Sequence, residues 1–351
     1  MRLTSLTIEY FRNLESASLE PAPGLNWLFG ENGAGKTSVL EAIHLLARGR
    51  SFRANSISPL IRDGSRQLRV VARTEQPEAR VGVERSASAW TGRINRQPIA
   101  KMSEFARLMP VVLVDPENHA LVEGAPAVRR SYLDWGLFHV EQSYLVGWKR
   151  YSRLLRQRNA AIRGHADPAL LQALEQPMAE AAAAVETLRN RYVASLQAAL
   201  EALASELEFH VELIELAYRP SAHTAEEYLQ KWAETRERDR EQGFTRDGPH
   251  RGDLSIRAGD RMAAPRLSRG QMKLVALMLK LAQMVLARSA ECEPVLLLDD
   301  PVSELDSYHL ERLLAWLRAQ PNQAWITAVE RIRHTEAGLF HVEQGQIDAV
   351  V

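Results

Sequence analysis

Gly30, Gly35, Lys36 and Thr37 stand at the spacing of a phosphate-binding P-loop, with Glu31, Asn32, Gly33 and Ala34 between them. Glycines let the backbone curl until successive N–H groups face one anion, and the helix that follows adds the positive end of its dipole. In such a loop Lys36 reaches the β- and γ-phosphates of ATP and the Thr37 hydroxyl ligates Mg2+. With Ser38, these residues form the predicted nucleotide-binding set. A second constellation is Val295-Leu296-Leu297-Leu298-Asp299-Asp300, an apolar run ending in two carboxylates. It reads as a buried strand that delivers acids to the carboxyl edge of a sheet. Beside a P-loop, Asp299 holds Mg2+ through its water shell and Asp300 orients or deprotonates the attacking water. Lys36, Asp299 and Asp300 are therefore the predicted catalytic residues. A third is Leu267-Ser268-Arg269-Gly270-Gln271, directly before a helical pattern that is apolar on most faces. Two readings stand side by side: Ser268 caps that helix, or Ser268, Gly270 and Gln271 form an anion site pressing on the γ-phosphate of a nucleotide held by another subunit.

These residues need elements to carry them. A strand-like run, residues 25–29, precedes the loop, and 38–47 follows with Val39, Leu40, Ile43, Leu46 and Ala47 at helical spacing. Leu3, Leu6, Ile8 and Tyr10 predict an opening strand closed by Phe11-Arg12-Asn13. After the loop helix comes a basic turn, Arg48-Gly49-Arg50-Ser51-Phe52-Arg53, then short strands at 68–72, 81–85 and 91–94 that predict a small antiparallel sheet. Residues 111–114 read as a strand buried on both faces. From about 127 to 241 the pattern is helical, with breaks at Gly164, Pro168, Pro177 and Pro220, and no apolar heptad is sustained, so no long coiled coil is expected. A last helix is predicted from Ser303 through Leu310, Leu313, Leu314 and Leu317. The heptapeptide Gly-Leu-Phe-His-Val-Glu-Gln begins at both Gly136 and Gly338, but the flanks are unrelated and it is no internal repeat. The fold class is α/β: a P-loop ATPase lobe formed by 1–119 and 245–351, with an inserted α-helical lobe at 120–244.

At 351 residues and 46% apolar content the chain has material for two lobes. Basic and acidic residues balance at 44 each, so any nucleic-acid surface must be local. One cysteine, Cys292, rules out an intrachain disulfide and points to a reducing cytoplasm. No signal peptide or membrane span is expected. The one basic stripe lies at 142–166, with Lys149, Arg150, Arg153, Arg156, Arg158 and Arg163 and no acid, and Trp148 and Tyr151 interleaved. It contacts nucleic-acid phosphates, or it pairs with the acidic run Glu201, Glu206, Glu208 and Glu212; composition alone leaves both open.

In order, the P-loop, helical insertion, L-S-R-G-Q at 267–271, L-L-L-D-D at 296–300 and S-E-L-D at 303–306 resemble the ATP-binding-cassette heads of the SMC class. F-R-N at 11–13, G-R-S-F-R at 49–53, R-R-S-Y-L-D at 129–134, G-P-H-R at 248–251 and F-H-V-E-Q-G at 340–345 narrow the resemblance to the RecF family of bacterial recombination mediators. It covers essentially the whole chain. The resemblance implies an SMC-like ATPase head that forms a homodimer on ATP, with Ser268 to Gln271 of one copy covering the nucleotide of the other. It also implies that Arg12 touches the phosphates. The implied partners are duplex DNA and single-strand/duplex junctions, together with RecO and RecR in loading RecA onto gaps, at the cytoplasmic nucleoid. Three positions depart from the wider cassette pattern: Asp300 replaces a glutamate, Asp115-Pro116-Glu117 stands where a glutamine is usual, and Thr327 where a histidine is usual. The alternative from another class is the nucleotide-binding subunit of a transporter, which has no obvious use for the insertion or the stripe.

Lys36→Met removes the phosphate-facing charge and keeps most of the aliphatic stem. Calorimetry should show ATP affinity falling roughly 10- to 100-fold with the fold intact; unchanged affinity would remove the phosphate assignment.

Overall fold

A computed structural model describes residues 1–209, 212–331 and 337–350. The chain divides into two compact units, one of Met1–Asn118, Leu207–Phe209 and Ala287–Val351, the other of His119–Glu206 and His210–Leu286. The segment 245–286, assigned from sequence to the ATPase lobe, thus groups with the helices. The reason is pairing: Asp253–Ala258 is hydrogen-bonded to Ile214–Arg219. In addition, the Tyr132 hydroxyl donates to the Leu279 carbonyl at 2.6 Å.

The first unit is built on two six-stranded sheets. One runs Gln346–Val350, Gly338–Glu343, Leu25–Phe29, Ala324–Ala328, Val295–Leu298, Val111–Val114 in spatial order, parallel except for its first strand. Its central strands Val295–Leu298 and Ala324–Ala328 are buried at every position, as their unbroken apolar runs require. Val111–Val114 differs from expectation: it is an edge strand, and Leu113 and Val114 are only partly buried. The other sheet is antiparallel and larger than its sequence signal, because Arg2–Phe11, Leu14–Leu19 and Gln97–Ile99 join Gln67–Glu75, Ala79–Ser86 and Trp90–Ile94. Leu68, Val70 and Ala72 point inward and alternate with outward Arg69, Val71 and Arg73. The P-loop helix Lys36–Arg48 adds Val39, Leu40 and Ile43 to one buried cluster. That cluster also holds Leu6, Ile8 and Val70 from the antiparallel sheet and Val111, Leu297 and Trp325 from the parallel one. The predicted helix from Ser303 is in fact two pieces, Pro301–Glu304 and Ser307–Ala319. Asp306 splits them by capping the second, its carboxylate accepting from the His309 N–H.

In the second unit the helices Pro126–Val140, Gln142–Arg163 and Ala225–Gln242 accompany a 40-residue helix, Pro168–Leu207. Pro177 was expected to break this last helix and does not. The lost hydrogen bond is offset by packing, since Met178, Ala179, Ala181 and Ala182 are buried against Tyr151, Tyr228 and Trp232. Nor is the region wholly helical: Ile214–Arg219 is a strand of a three-stranded sheet. Helix Arg269–Ser289 is long and apolar enough to cross a membrane by length and composition, contrary to the expectation of no such run, but 67% of its most apolar window is buried inside the protein.

The basic stripe is not uniform. Arg158 is fully buried and donates to Glu175 at 2.9 Å and Asp239 at 2.7 Å. Arg150 pairs with Glu180, whereas Lys149, Arg153 and Arg156 are exposed and, among the described residues, carry no ion pair. The acidic run is engaged elsewhere, Glu208 by Arg312 and Glu212 by Arg266.

Arg158→Ala would leave buried Asp239 without a cation and Glu175 with Arg236 alone, and should cost about 3–5 kcal/mol in denaturant unfolding. Arg153→Ala, on the exposed face of the same helix, should stay within about 0.5 kcal/mol.

Candidate functional site

Strand Leu25–Phe29 lies inside the parallel sheet, and the chain leaves it through Gly30 at φ +148°, where a Cβ would sit 2.1 Å from the Val342 carbonyl oxygen. Only glycine fits there. Gly35, at φ +121°, backs onto Asn13, whose Nδ2 would lie 3.0 Å from an added Cβ. Asn13 braces the loop from outside: Nδ2 donates to the carbonyls of Gly33 (3.2 Å) and Ala34 (2.9 Å), and Oδ1 accepts from the Ser38 hydroxyl (3.1 Å). The Lys36 ammonium donates to the carbonyls of Gly30 (2.7 Å) and Glu31 (2.8 Å). Burial lowers the Lys36 pKa from the ordinary lysine value, and the carboxylates of Asp300 and Asp299 pull it partly back.

The two aspartates follow strand Val295–Leu298, whose register sets Leu298 beside Ile326. The next residues therefore meet: Thr327 Oγ1 donates to Asp299 Oδ1 at 2.8 Å and accepts from the Asp300 N–H at 2.8 Å. From the loop helix, Thr37 Oγ1 donates to the same Asp299 Oδ1 at 2.8 Å. Asp300 sits in the left-handed region at φ 49°, which aspartate tolerates better than most residues. Its Oδ2 accepts from the Ser303 hydroxyl at 2.6 Å, while its Oδ1 is buried with no hydrogen-bond partner among the described residues.

These groups border a cleft of about 700 Å³, in the size range of small-molecule sites. They fit a magnesium nucleotide. The loop offers backbone donors and Lys36 for phosphates, and Thr37 and Asp299 offer hard oxygen ligands. Among the described residues no cluster of three or more His, Cys, Asp or Glu could hold a metal. Mg2+ takes one or two carboxylates and completes its shell with water and phosphate oxygens, so the oxygens of Thr37 and Asp299 are a fitting protein share of such a site. The orphaned Asp300 Oδ1 suits a residue that accepts from a water or ligand held in the cleft.

Of the residues singled out from sequence, Arg12, Asn32, Gly33, Gly35, Lys36, Thr37, Ser38, Asp299 and Asp300 line this one cleft. Gly30, Glu31 and Ala34 shape the loop through their backbones. Arg12 reaches the cleft wall with its guanidinium already engaged: Nε and Nη2 donate to Glu41 at 2.9 and 2.8 Å and Nη1 to the Pro59 carbonyl at 2.9 Å. Ser268, Gly270 and Gln271 belong to the second unit, at the start of helix Arg269–Ser289. There the Gln271 N–H donates to Ser268 Oγ (3.3 Å) and the Ser268 N–H to Gln271 Oε1 (2.9 Å), a reciprocal capping box. The capping reading of Ser268 therefore holds within this chain. Sequence reasoning missed Asn13 and Glu41, noted Thr327 only as a departure from the cassette pattern, and did not place Arg53 and Arg62 at this cleft. For Asn13 a signal existed in its place after Arg12, and for Thr327 in its place at the end of a core strand.

The family model described as the RecF/RecN/SMC N terminal domain matches residues 2–344. A DNA replication and repair protein RecF from Thioalkalivibrio sulfidiphilus is 38% identical, with 99% of each chain covered. Among solved structures, a recombination mediator protein RecF with ATP, described as part of the RecFOR pathway, superposes with a TM-score of 0.89 at 26% identity, covering 99% of this chain and 97% of that one. An Smc head bound to the C-winged helix domain of ScpA superposes with a TM-score of 0.61 at 15% identity, a likeness of fold.

Thr327→Val keeps the side-chain shape and removes the hydroxyl that joins Asp299 to Asp300. The buried Asp300 N–H then lacks an acceptor, and denaturant unfolding should show a loss of about 1–3 kcal/mol that Thr327→Ser largely restores. Equal stability for the valine variant would show that this bridge does not hold the aspartates.

Proposed function

The chain belongs to the RecF family of DNA replication and repair proteins, within the wider RecF/RecN/SMC class of ATPases, and from that membership we propose that it is a DNA-binding ATPase switched by dimerisation on ATP in recombinational gap repair. The observation that carries the reading is the hydrogen-bonded set Thr37–Asp299–Thr327 beside the P-loop in one cleft. When bound, magnesium ATP supplies a phosphoanhydride whose cleavage is thermodynamically favourable and a cation that draws charge from its phosphates. The chain's residues do the rest. The loop N–H groups and Lys36 hold the β- and γ-phosphates, and Thr37 and Asp299 keep the metal ligands in register. Asp300, with one carboxylate oxygen held by Ser303 and the other without a partner, orients the attacking water and accepts its proton. Arg53, exposed on the cleft wall without an ion pair among the described residues, adds a cation for phosphate, whereas Arg12 contributes only the N–H groups that Glu41 and Pro59 leave over.

Hydrolysis acts as a slow switch rather than as metabolic turnover. In the proposed dimer, Ser268, Gly270 and Gln271 of each copy face the γ-phosphate on the other's P-loop. An added Cβ at Gly270 would meet nothing within 4 Å, so this chain's own packing does not call for glycine there. A close-approaching partner would. DNA is duplex or a single-strand/duplex junction, with exposed Lys149, Arg153 and Arg156 among its contacts, and RecO and RecR act with the protein to load RecA. On this reading the ATPase machinery draws on 1–119 and 245–351, with 120–244 inserted, while 245–286 keeps its strand pairing to the insertion, and the protein works at the cytoplasmic nucleoid. Full-length likeness to DNA replication and repair proteins favours this reading over that of a transporter subunit.

Sedimentation without nucleotide, with ADP and with ATP tests the switch: a dimer should form with ATP alone. Ser268→Arg should still bind ATP, cost on the order of 1 kcal/mol through the lost cap, and neither dimerise nor hydrolyse. Mixed with Lys36→Met it should recover part of the activity, because one composite site then has both intact halves. A Ser268→Arg protein that dimerises normally on ATP would sink the composite site.

A further inference from the structure

We propose that the outward face of the antiparallel sheet in the first unit is a trough for the sugar-phosphate backbone of a nucleic acid. This rests on the DNA-binding reading above and gives it a second surface, apart from the stripe on helix Gln142–Arg163.

Strand register places the residues. On the outward face Arg73 lies between Ser5 and Arg80 in one row, and Val71 between Thr7 and Gly82 in the next, with Arg93 beyond Gly82. A third row is Glu9, Arg69, Glu84 and Thr91. Arg69, Arg80, Arg93 and Arg96 wall a hollow of about 310 Å³ floored by Val71 and Gly82. A neighbouring hollow of about 550 Å³ shares Arg80 and Arg96 with it and adds Arg73. Together the two are lined by five arginines and two glutamates, Glu84 and Glu78.

Charges alternate in sign along the third row only, where Glu9 and Glu84 flank Arg69. Glu9 and Glu84 both hold Arg69, at 3.2 and 3.7 Å. Arg73, Arg80, Arg93 and Arg96 are exposed and, among the described residues, have no ion pair. Arg73 stands directly opposite Arg80, an arrangement that costs stability unless an anion lies between. In a chain with formal net charge +0, such crowding is a local feature. Gly82 keeps the floor low: an added Cβ would make only ordinary contact with Val71, at 3.4 Å, so packing does not demand the glycine. The occupant is read from chemistry. A protein partner needs a buried apolar or aromatic anchor, and the lining offers nothing larger than valine. A nucleic-acid backbone needs cations and hydrogen-bond donors repeated along a path, which arginines on successive strands and on alternate residues provide.

The test uses the full-length protein and the variants Arg80→Glu/Arg93→Glu and Arg80→Gln/Arg93→Gln, with duplex DNA binding measured against salt in the presence of ATP. ATP affinity and thermal unfolding are followed in parallel: affinity should not change, and the unfolding temperature should not fall, because losing Arg80 relieves its opposition to Arg73. The glutamate pair should weaken duplex binding roughly tenfold at moderate salt and lower the slope of log K against log salt by about two, the glutamine pair less in affinity but equally in slope. If the parent binds duplex and both variants match it in affinity and slope, the trough is overturned while DNA binding stands. If the parent itself binds no duplex, the DNA reading fails and the trough with it. Variants that keep full DNA affinity but lose retention on polyglutamate would assign the face to an acidic protein segment and overturn the proposal.

Discussion

One carboxylate oxygen holds the cleft together. Asp299 Oδ1 accepts from Thr37 on the P-loop helix and from Thr327 at the end of a neighbouring strand. Hydrogen bonds to a charged acceptor are worth roughly 1.5–3 kcal/mol each, and more is at stake when the acceptor is buried. Three segments that meet only through folding are thereby fixed to one atom. The parallel sheet makes this possible: strands Leu25–Phe29, Ala324–Ala328 and Val295–Leu298 are successive neighbours, so their carboxyl ends open on the same edge. A loop, a metal ligand and a hydroxyl bridge then emerge together without any long excursion of chain.

Rigidity behind the loop comes from a second carboxylate. Glu41 has no exposed surface, and a buried acid is tolerable only with partners. It takes the Arg12 guanidinium in a two-pronged contact and the Ser51 hydroxyl, and Ser51 in turn accepts from the N–H groups of Arg53 and Ala54. The segments F-R-N and G-R-S-F-R, which flank the loop in sequence, therefore converge on the helix that the loop starts. Asn13 completes the arrangement from the other side. Contacts between protein groups thus fix the shape of the P-loop, which lowers the ordering cost of binding an anion there.

What the sequence disclosed was chemistry with a local signature. Glycines at fixed spacing, a strand ending in two acids and a serine-led helix all announce themselves within a few residues, and the structure brings the P-loop and the aspartates to one cleft. Partners set by tertiary packing were invisible. Nothing near Glu41 in sequence marks it as a buried acid, and Arg158 stands in a row of cations with no local sign that it alone is fully buried. The repeated heptapeptide shows the limit most directly. From Gly136 its first five residues lie in helix Pro126–Val140, while from Gly338 its first six form a strand of the parallel sheet. Identical residues take both forms because context decides: one copy follows a helix start at Pro126, the other pairs along Leu25–Phe29. Pro177 makes the complementary point, since a breaker in isolation is outvoted by an apolar face already buried.

Charge follows the same logic and gives it a use. The chain is neutral, yet the ligands proposed for it are polyanions. A guanidinium that already holds a carboxylate gains little by exchanging it for a phosphate, so arginines such as Arg12, Arg129, Arg158 and Arg189, each paired with a neighbouring acid, serve the fold. Those exposed without an acid gain the whole interaction when an anion arrives. Among them are Arg53 at the cleft beside the P-loop, Arg73, Arg80, Arg93 and Arg96 on the antiparallel sheet, and Lys149, Arg153 and Arg156 on helix Gln142–Arg163. Net charge conceals this segregation because acids elsewhere cancel it in the sum, but a polyanion within a Debye length of the surface responds to the local field and not to the total. A neutral protein of this kind can therefore present separate anion-facing surfaces to the nucleotide and the nucleic acid proposed for it, each tuned by which carboxylates the fold has placed beside it.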